Sequence, residues 1–427
     1  MQENALGPFD IAAVLILLAA ALGYANHRLL KLPSAVGMTL MGALASLAII
    51  GTGLAFPSWG LTPIVERFLA SIDFHAALME GMLSFLLFAG ALHVDWQDMR
   101  ANRAVIFGLA TVGVVIATAL VGLGAWWLSG LMGLGIPLVW ALVFGALISP
   151  TDPVAVMAIL KRAAVPPALQ ATVAGESLFN DGIGVVIFAI LLSIATGSEA
   201  FNWAHVASDF AREALGGAAF GFAVGWFGFV AMRSIDDYGV EVMISLAVVM
   251  AGYSLSHALH VSGPVAMAVA GLLIGNAGVA QAMSDVTRDY LIKFWELVDE
   301  ILNTVLFLLI GLEVVLVTRQ PALLLFGVLA IPLALGARWL SVSVPLILLR
   351  ARINLGRLAA PTLVWGGLRG GISVALALSL PPSAYRTPLV AATFVIVLFS
   401  VIIQGGSIGG LIRRLNQKHG LPAGGDK

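Results

Sequence analysis

The residues best placed to do chemistry lie in two stretches, Gly175-Glu176-Ser177-Leu178-Phe179-Asn180-Asp181-Gly182 and Ser149-Pro150-Thr151-Asp152-Pro153-Val154. Both fall inside long apolar segments, where ionisable groups are expensive and by default mark a functional site. On a continuous helix Ser177 precedes Asn180 by three positions and Asp181 by four, so the three share a face. Glu176 lies about 100° round from Ser177 and points to a different neighbour. Thr151 and Asp152 can bring side-chain and freed carbonyl oxygens to the same place, and a small hard cation is bound by such oxygens. Burial favours the protonated form of a carboxylate, so a proton and a cation compete for Asp181. Competition at a site exposed alternately to two sides is exchange. Two plainer readings stand beside this one. The network can be a fixed set of hydrogen bonds that only packs helices, and Asp152 can cap the ends of an interrupted helix.

The elements that must position these groups are set by composition. Of 427 residues, 60% are hydrophobic and 11% charged, against about 25% charged in a soluble domain. The apolar residues come in blocks of about 20, the length that crosses a bilayer as a helix. The class is therefore an all-α, polytopic membrane protein embedded in a lipid bilayer. A net charge of −1 argues against a nucleic-acid partner. With no cysteine, neither a disulfide framework nor a thiolate metal site can form. The first apolar block follows the acids Glu3 and Asp10 with no basic run, so it reads as a first membrane helix and not as a cleaved signal.

The hydropathy pattern gives thirteen spans, near 10–30, 33–53, 74–94, 104–128, 137–160, 169–196, 211–232, 239–259, 261–280, 293–317, 321–349, 358–380 and 387–411. Sixteen of the 22 Lys and Arg then fall on one side: Arg28, Lys31, Arg100, Arg103, Lys161, Arg162, Arg233, Arg288, Lys293, Arg350, Arg352, Arg357, Arg413, Arg414, Lys418 and Lys427. Arg67, Arg212, Arg319 and Arg386 fall on the other. Basic residues stay in the cytoplasm, which places the N-terminus outside and the C-terminus inside.

Two spans are interrupted. The fifth carries Pro150 and Pro153, each of which removes a backbone donor and disfavours helix just before it. The twelfth contains Trp365-Gly366-Gly367-Leu368-Arg369-Gly370-Gly371. Irregular backbone at membrane depth is tolerated only where protein or a water-filled cavity covers it. Broken helices at matching places point to two inverted six-helix repeats, spans one to six and eight to thirteen, with span seven as connector. Glycine pairs elsewhere, such as Gly216-Gly217, read as sites of close helix packing.

Other charges within spans are few. Glu176 and Arg338 are candidates for a buried ion pair, because two unpaired charges would each be very unfavourable. Arg369 is placed to compensate the carbonyl ends of the broken twelfth span. Glu80 is either a minor group on an ion path or an acid near the outer surface. Asp299, Glu300 and Glu313 are further candidates for charges within the tenth span. Asp95, Asp98 and the pair Asp236-Asp237 read as solvated loop charges, and His257 and His260 as interfacial histidines. No metal motif with ligand spacing occurs.

These stretches, taken with Gly367-Leu368-Arg369-Gly370-Gly371, resemble the cation:proton antiporter family and, within it, the sodium/proton exchanger branch. The order, spacing and thirteen-span layout all agree. The resemblance implies a homodimer whose dimerisation part comes from 1–98 and 237–318, spans one to three and eight to ten. A mobile core comes from 99–198 and 319–414, spans four to six and eleven to thirteen. Segment 199–236 connects them and 415–427 is a short cytoplasmic tail. It implies a multi-pass protein of the plasma membrane, an inner membrane where there are two, that exchanges Na+ (or Li+ or K+) for H+ by alternating access. No cofactor is needed beyond the transported ions. Asp181 would bind cation and proton, helped by Thr151, Ser177 and the Asp152 region, while Asn180 stabilises the crossed helices and Glu176 pairs with Arg338. The Asn180-Asp181 pair resembles electroneutral members, one cation per proton, and an Asn amide cannot carry a second proton. One position departs from the family: Ala89 stands where an acid is usual. Two other classes remain, a cation channel, which needs a continuous polar stripe along several spans, and a proton-coupled carrier of an organic solute, which needs a roomier polar and aromatic pocket.

Overall fold

The computed structural model describes residues 7–56, 77–153, 156–157, 159–160, 165–197, 208–279, 282–313, 320–349, 355–356 and 358–419, with the single positions 58, 65, 68 and 72. Several residues counted for orientation, Arg67, Lys161, Arg162, Arg319, Arg350, Arg352, Arg357 and Lys427, lie outside the described residues, as does the side chain of Glu80.

The described chain is helical. Its main helices are α1 (Phe9–Leu30), α2 (Ser34–Ala55), α3 (Leu83–Leu92), α4 (Arg103–Leu131), α5 (Leu138–Ile148), α6 (Pro167–Ala195), α7 (Ser208–Arg233), α8 (Tyr238–Ala258), α9 (Gly263–Asn276), α10 (Asp285–Leu312), α11 (Pro321–Leu348), α12 (Ala359–Trp365), α13 (Gly371–Leu378) and α14 (Arg386–Lys418). Among the described residues eight of these are long and apolar enough to cross a membrane: α1, α2, α4, α6, α7, α8, α11 and α14. Shorter apolar helices are α3, α5 and α9. The only pairing of β type among the described residues is an isolated antiparallel bridge between Asp152 and Leu368.

Local signals explain where the helices begin. Pro167 opens α6 at its first position, where its missing N–H is no loss. Asp237 caps α8 by accepting from the backbone N–H groups of Gly239 and Val240 at 2.9 and 3.1 Å. Asp236 accepts from the Ser284 hydroxyl at 2.8 Å, and both acids are exposed, as their loop position suggests. Two expected boundaries move. Helix α10 starts at Asp285, two turns before the span expected at 293, because Ser284 caps it and its early turns are amphipathic and not apolar throughout. Arg288 and Lys293 therefore sit on a helix and not in a loop. At the other end the helix continues through Arg413, Arg414 and Lys418 to His419, so 415–419 extends α14 in place of the loose tail expected from 415.

Helices α4, α5, α6, α11 and α14 pack on one another, and α3, α7, α8, α9 and α10 form a second group in which α2 packs on α10. The α2–α10 crossing is backbone to backbone. A Cβ on Gly42 would lie 2.8 Å from the Leu308 carbonyl oxygen, and one on Gly311 would lie 2.8 Å from the Ala43 nitrogen. Ser46 strengthens the same crossing by donating to the Leu312 carbonyl at 2.7 Å. Small residues are how membrane helices reach such distances. Replacing Gly311 with Leu should push the two helices apart and cost about 1–3 kcal/mol or more, read as a lowered melting temperature of the detergent-solubilised protein. An unchanged melting temperature would mean that this crossing is not tight.

Candidate ion-binding site

The site is built where the two interruptions cross. The first lies between Ile148, which ends α5, and Val156, and the second between Trp365, which ends α12, and Gly371, which opens α13. Breaking a helix frees backbone donors and acceptors, and each needs a partner when buried. The partners come from the other break and from α6. The Asp152 N–H donates to the Leu368 carbonyl at 2.8 Å, and this is the bridge between the two segments. The Thr151 N–H donates to Asn180 Oδ1 at 3.2 Å. The Arg369 N–H donates to the Ser400 hydroxyl at 2.8 Å.

The freed carbonyls are met by two buried arginines. Arg369 donates through Nη1 to the carbonyls of Ser149 and Pro150 at 2.7 and 3.0 Å. This corrects the sequence expectation: Arg369 closes the end of the fifth span and not that of its own, because the crossing places its side chain against the opposite break. The end of α12 is closed by Arg338, which donates from Nε and Nη2 to the Leu363 carbonyl at 3.1 and 2.9 Å. A helix C-terminus carries partial negative charge, so a cation there is favourable. Gly367 leaves the space, since a Cβ at that position would lie 2.6 Å from Arg338 Cζ.

Arg338 also makes the ion pair expected with Glu176. It is bidentate, with Nη1 to Oε1 at 2.8 Å and Nη2 to Oε2 at 3.0 Å, and both side chains are buried. Glu176 Oε1 accepts in addition from Asn180 Nδ2 at 2.8 Å. The same amide donates to Thr151 Oγ1 at 2.7 Å, and Thr151 Oγ1 shares a hydrogen bond with Ser177 Oγ at 3.0 Å. Asn180 thus commits both its carbonyl and its amide to the crossing and has no proton to exchange.

Asp181, one residue on, differs. It is buried, and among the described residues its Oδ1 has no hydrogen-bond partner. It faces a cavity of about 410 Å³ lined also by Pro150, Thr151 and Asp152. The Asp152 carboxylate lies against the backbone of Gly370 at the N-terminal end of α13, where the helix dipole favours a negative charge. That placement fits the capping reading of Asp152 as well as the ligand reading. The structure thus brings Thr151, Asp152, Glu176, Ser177, Asn180, Asp181, Arg338 and Arg369 together, although they are spread over more than half of the chain.

The rest of the cavity was not foreseen from the sequence. Its mouth is formed by His93, Asp95, Asp98 and Glu296, and its wall by Asp299 and Asn303. Asp95 also caps the short helix Trp96–Ala101, accepting from Gln97 and Asp98 N–H at 2.7 and 3.2 Å. A signal existed: Glu296, Asp299 and Asn303 are spaced i, i+3, i+7 and make one polar face on α10. Ala89 is fully buried beside Phe88, Leu92 and Trp295 and does not line the cavity, whereas Leu86, Gly90 and His93 on the neighbouring face do. Phe144, Leu147, Phe188, Phe326 and Leu376 belong to a buried apolar cluster none of whose buried members lines the cavity. Glu313 is buried at the end of α10, and His257 and His260 are exposed around the end of α8.

Two crossed, interrupted helices, each closed by a buried arginine, with an Asp181 oxygen that has no partner among the described residues, define a membrane transporter core. Residues 14–414 match the family described as sodium/hydrogen exchanger, transmembrane, and the chain belongs to that family. It is 47% identical to the Na(+)/H(+) antiporter NhaP of Pseudomonas aeruginosa, over 95% of this chain and 96% of that one. It is 33% identical to the Na(+)/H(+) antiporter NhaH of Halobacillus dabanensis, over 94% of this chain and 97% of that one. Its fold is similar to that of the sodium proton antiporter MjNhaP1 from Methanocaldococcus jannaschii, with a TM-score of 0.72 at 20% identity, covering 94% of this chain and 96% of that one.

Removing one member of a buried ion pair strands its partner and costs about 3–5 kcal/mol, whereas removing both costs less. Glu176→Gln should therefore lower the melting temperature more than the double change of Glu176→Gln with Arg338→Met. Additive losses in the two singles and the double would show that the pair is not coupled.

Proposed function

We propose that the chain exchanges Na+ for H+ across the membrane by alternating access, one for one, with proton and cation competing for Asp181. The observation that carries this reading is the state of Asp181: a buried carboxylate with an oxygen that has no partner among the described residues, opening on a cavity, while Asn180, Thr151 and Glu176 beside it are committed to holding the crossing together. The names of the most similar relatives support sodium as the cation. Thr151 lines the same cavity as Asp181 and shares a hydrogen bond with Ser177, and Asp152 holds the adjoining helix start. Li+ and K+ are competing substrates on the same chemistry.

The one-to-one stoichiometry rests on Asn180, which spends its hydrogen bonds on Thr151 and Glu176. The cavity mouth carries His93, Asp95 and Asp98 just before Arg100 and Arg103. On the orientation read from the Lys and Arg bias, with the C-terminus inside, this is an inward-open state. In that state the apolar cluster around Phe144 and Phe326 is the outer gate. The architecture proposed is thirteen spans in two inverted repeats. The grouping of α4, α5, α6, α11 and α14 supports a moving core, and the α2–α10 and α3–α9 contacts support a second, static part. The protein would work as a homodimer in the plasma membrane. A channel would need polar groups at every depth, and a carrier of organic solutes a roomier polar and aromatic pocket. The apolar cluster beyond Asp181 opposes the first, and the second is opposed by the cavity lining, which among the described residues holds no Phe, Tyr or Trp.

In proteoliposomes with an imposed pH gradient, sodium should collapse the gradient and choline should not. Asp181→Asn should abolish the response while keeping the wild-type melting temperature. A sodium response that survives in Asp181→Asn would sink the site. Turnover should also be unchanged when a potassium diffusion potential is imposed with valinomycin, and a clear dependence on voltage would rule out one-for-one exchange.

A further inference from the structure

Six carboxylates line the cavity, Asp95, Asp98, Asp152, Asp181, Glu296 and Asp299, and among the described residues no Lys or Arg lines it. So much like charge around one space calls for a mobile counter-ion. Three groups stand out from the mouth acids. Asp299 lies on the wall between the exposed Glu296 and the buried Asn303, which fixes its carboxylate by donating to Oδ1 at 3.0 Å. Asp152 lines the same cavity, at the crossing. Ser373, in the first turn of α13, lines the same cavity with its Oγ buried at 1% exposure and, among the described residues, without a hydrogen-bond partner. A buried hydroxyl left unpaired is costly unless a ligand completes it.

The packing places Asp299 on the way in. Leu78 and Met82 share an apolar cluster with Val305 and Leu306, while Phe88 and Leu92 share another with Leu291 and Trp295. Helices α3 and α10 therefore run antiparallel. With His93 3.6 Å from Glu296 at the mouth, Asp299 comes one turn deeper, level with Gly90. From Asp299 the cavity continues to Asp152 and Asp181.

We propose that Asp299, with Asp152 and Ser373 across the cavity, forms a second cation station, which a sodium ion occupies before it reaches Asp181. Two carboxylates and a hydroxyl offer the hard oxygen donors that a small cation takes, with water completing its shell. The station rests on the sodium/proton exchange proposed above. It makes loading a two-step process in which the ion sheds water at Asp299 before meeting the proton-competing group.

The test measures pH-gradient dissipation in proteoliposomes against sodium concentration, together with the sodium-dependent rise in melting temperature of purified protein. Asp299→Asn should raise half-saturating sodium about ten-fold, the effect of losing one contact to a charged group, with a smaller fall in maximal rate. Ser373→Ala, which breaks no hydrogen bond among the described residues, should raise it about three-fold by the same reasoning. Asp181→Asn, unable to exchange, should still be stabilised by sodium, and the double change of Asp181→Asn with Asp299→Asn should not be. Should Asp299→Asn fail to fold, Ser373→Ala decides. Wild-type half-saturation in Asp299→Asn and Ser373→Ala, in a protein that does exchange sodium, would overturn the station and leave the exchanger standing. A wild type without any sodium response would overturn the exchanger reading and the station with it.

Discussion

Backbone polar groups in the middle of a membrane have no water to bind, and the architecture around residues 149–153 and 366–370 answers that constraint. The prolines and glycines that interrupt the helices are tolerated because each break supplies what the other lacks. Asp152 N–H meets the Leu368 carbonyl, Arg369 meets the carbonyls of Ser149 and Pro150, and Arg338 meets that of Leu363. Glu176 is then required by Arg338, since a guanidinium at that depth needs an anion, and Asn180 is required to hold Glu176 and Thr151 together. The chain of requirement ends at Asp181, the one member of the group whose oxygen is left over.

The division of labour between structural and working polar groups follows from satisfaction. Residues whose donors and acceptors are all used are fixed; the energy of moving them includes the cost of every bond broken. Residues with an unused oxygen facing a cavity are free to change partner without disturbing the frame. On that criterion Asn180, Arg338 and Arg369 belong to the frame, and on the proposals made above Asp181 and Ser373 belong to the path.

Much of this was legible in the residues. Glu176 and Arg338 are 162 positions apart, yet they could be matched because they are opposite charges inside apolar spans with few other candidates. The two breaks were legible from proline and glycine chemistry, and the fold class from the length of the apolar blocks. Other parts were not. The destination of Arg369 depends on which carbonyls the crossing brings near, and carbonyls carry no sequence signature. The start of α10 was missed because charge on one face hid a helix that packs through the other. For the same reason Asp299 read only as one more candidate charge within the tenth span, with no role, when it forms part of a cavity wall. Ala89, which stands where the family usually has an acid, sits in a packed apolar cluster, and only the rotation of α3 reveals it.

The commitment of Asn180 has a consequence for what such a machine can sustain. With that amide locked between Thr151 and Glu176, Asn180 has no proton to give, and on the reading proposed above Asp181 alone exchanges proton for cation. On the proposed one-for-one exchange, a tenfold sodium gradient is then balanced by about one pH unit. The sodium ratio that the protein can hold is therefore capped by the pH difference across the membrane, and its direction of net work reverses when that difference does.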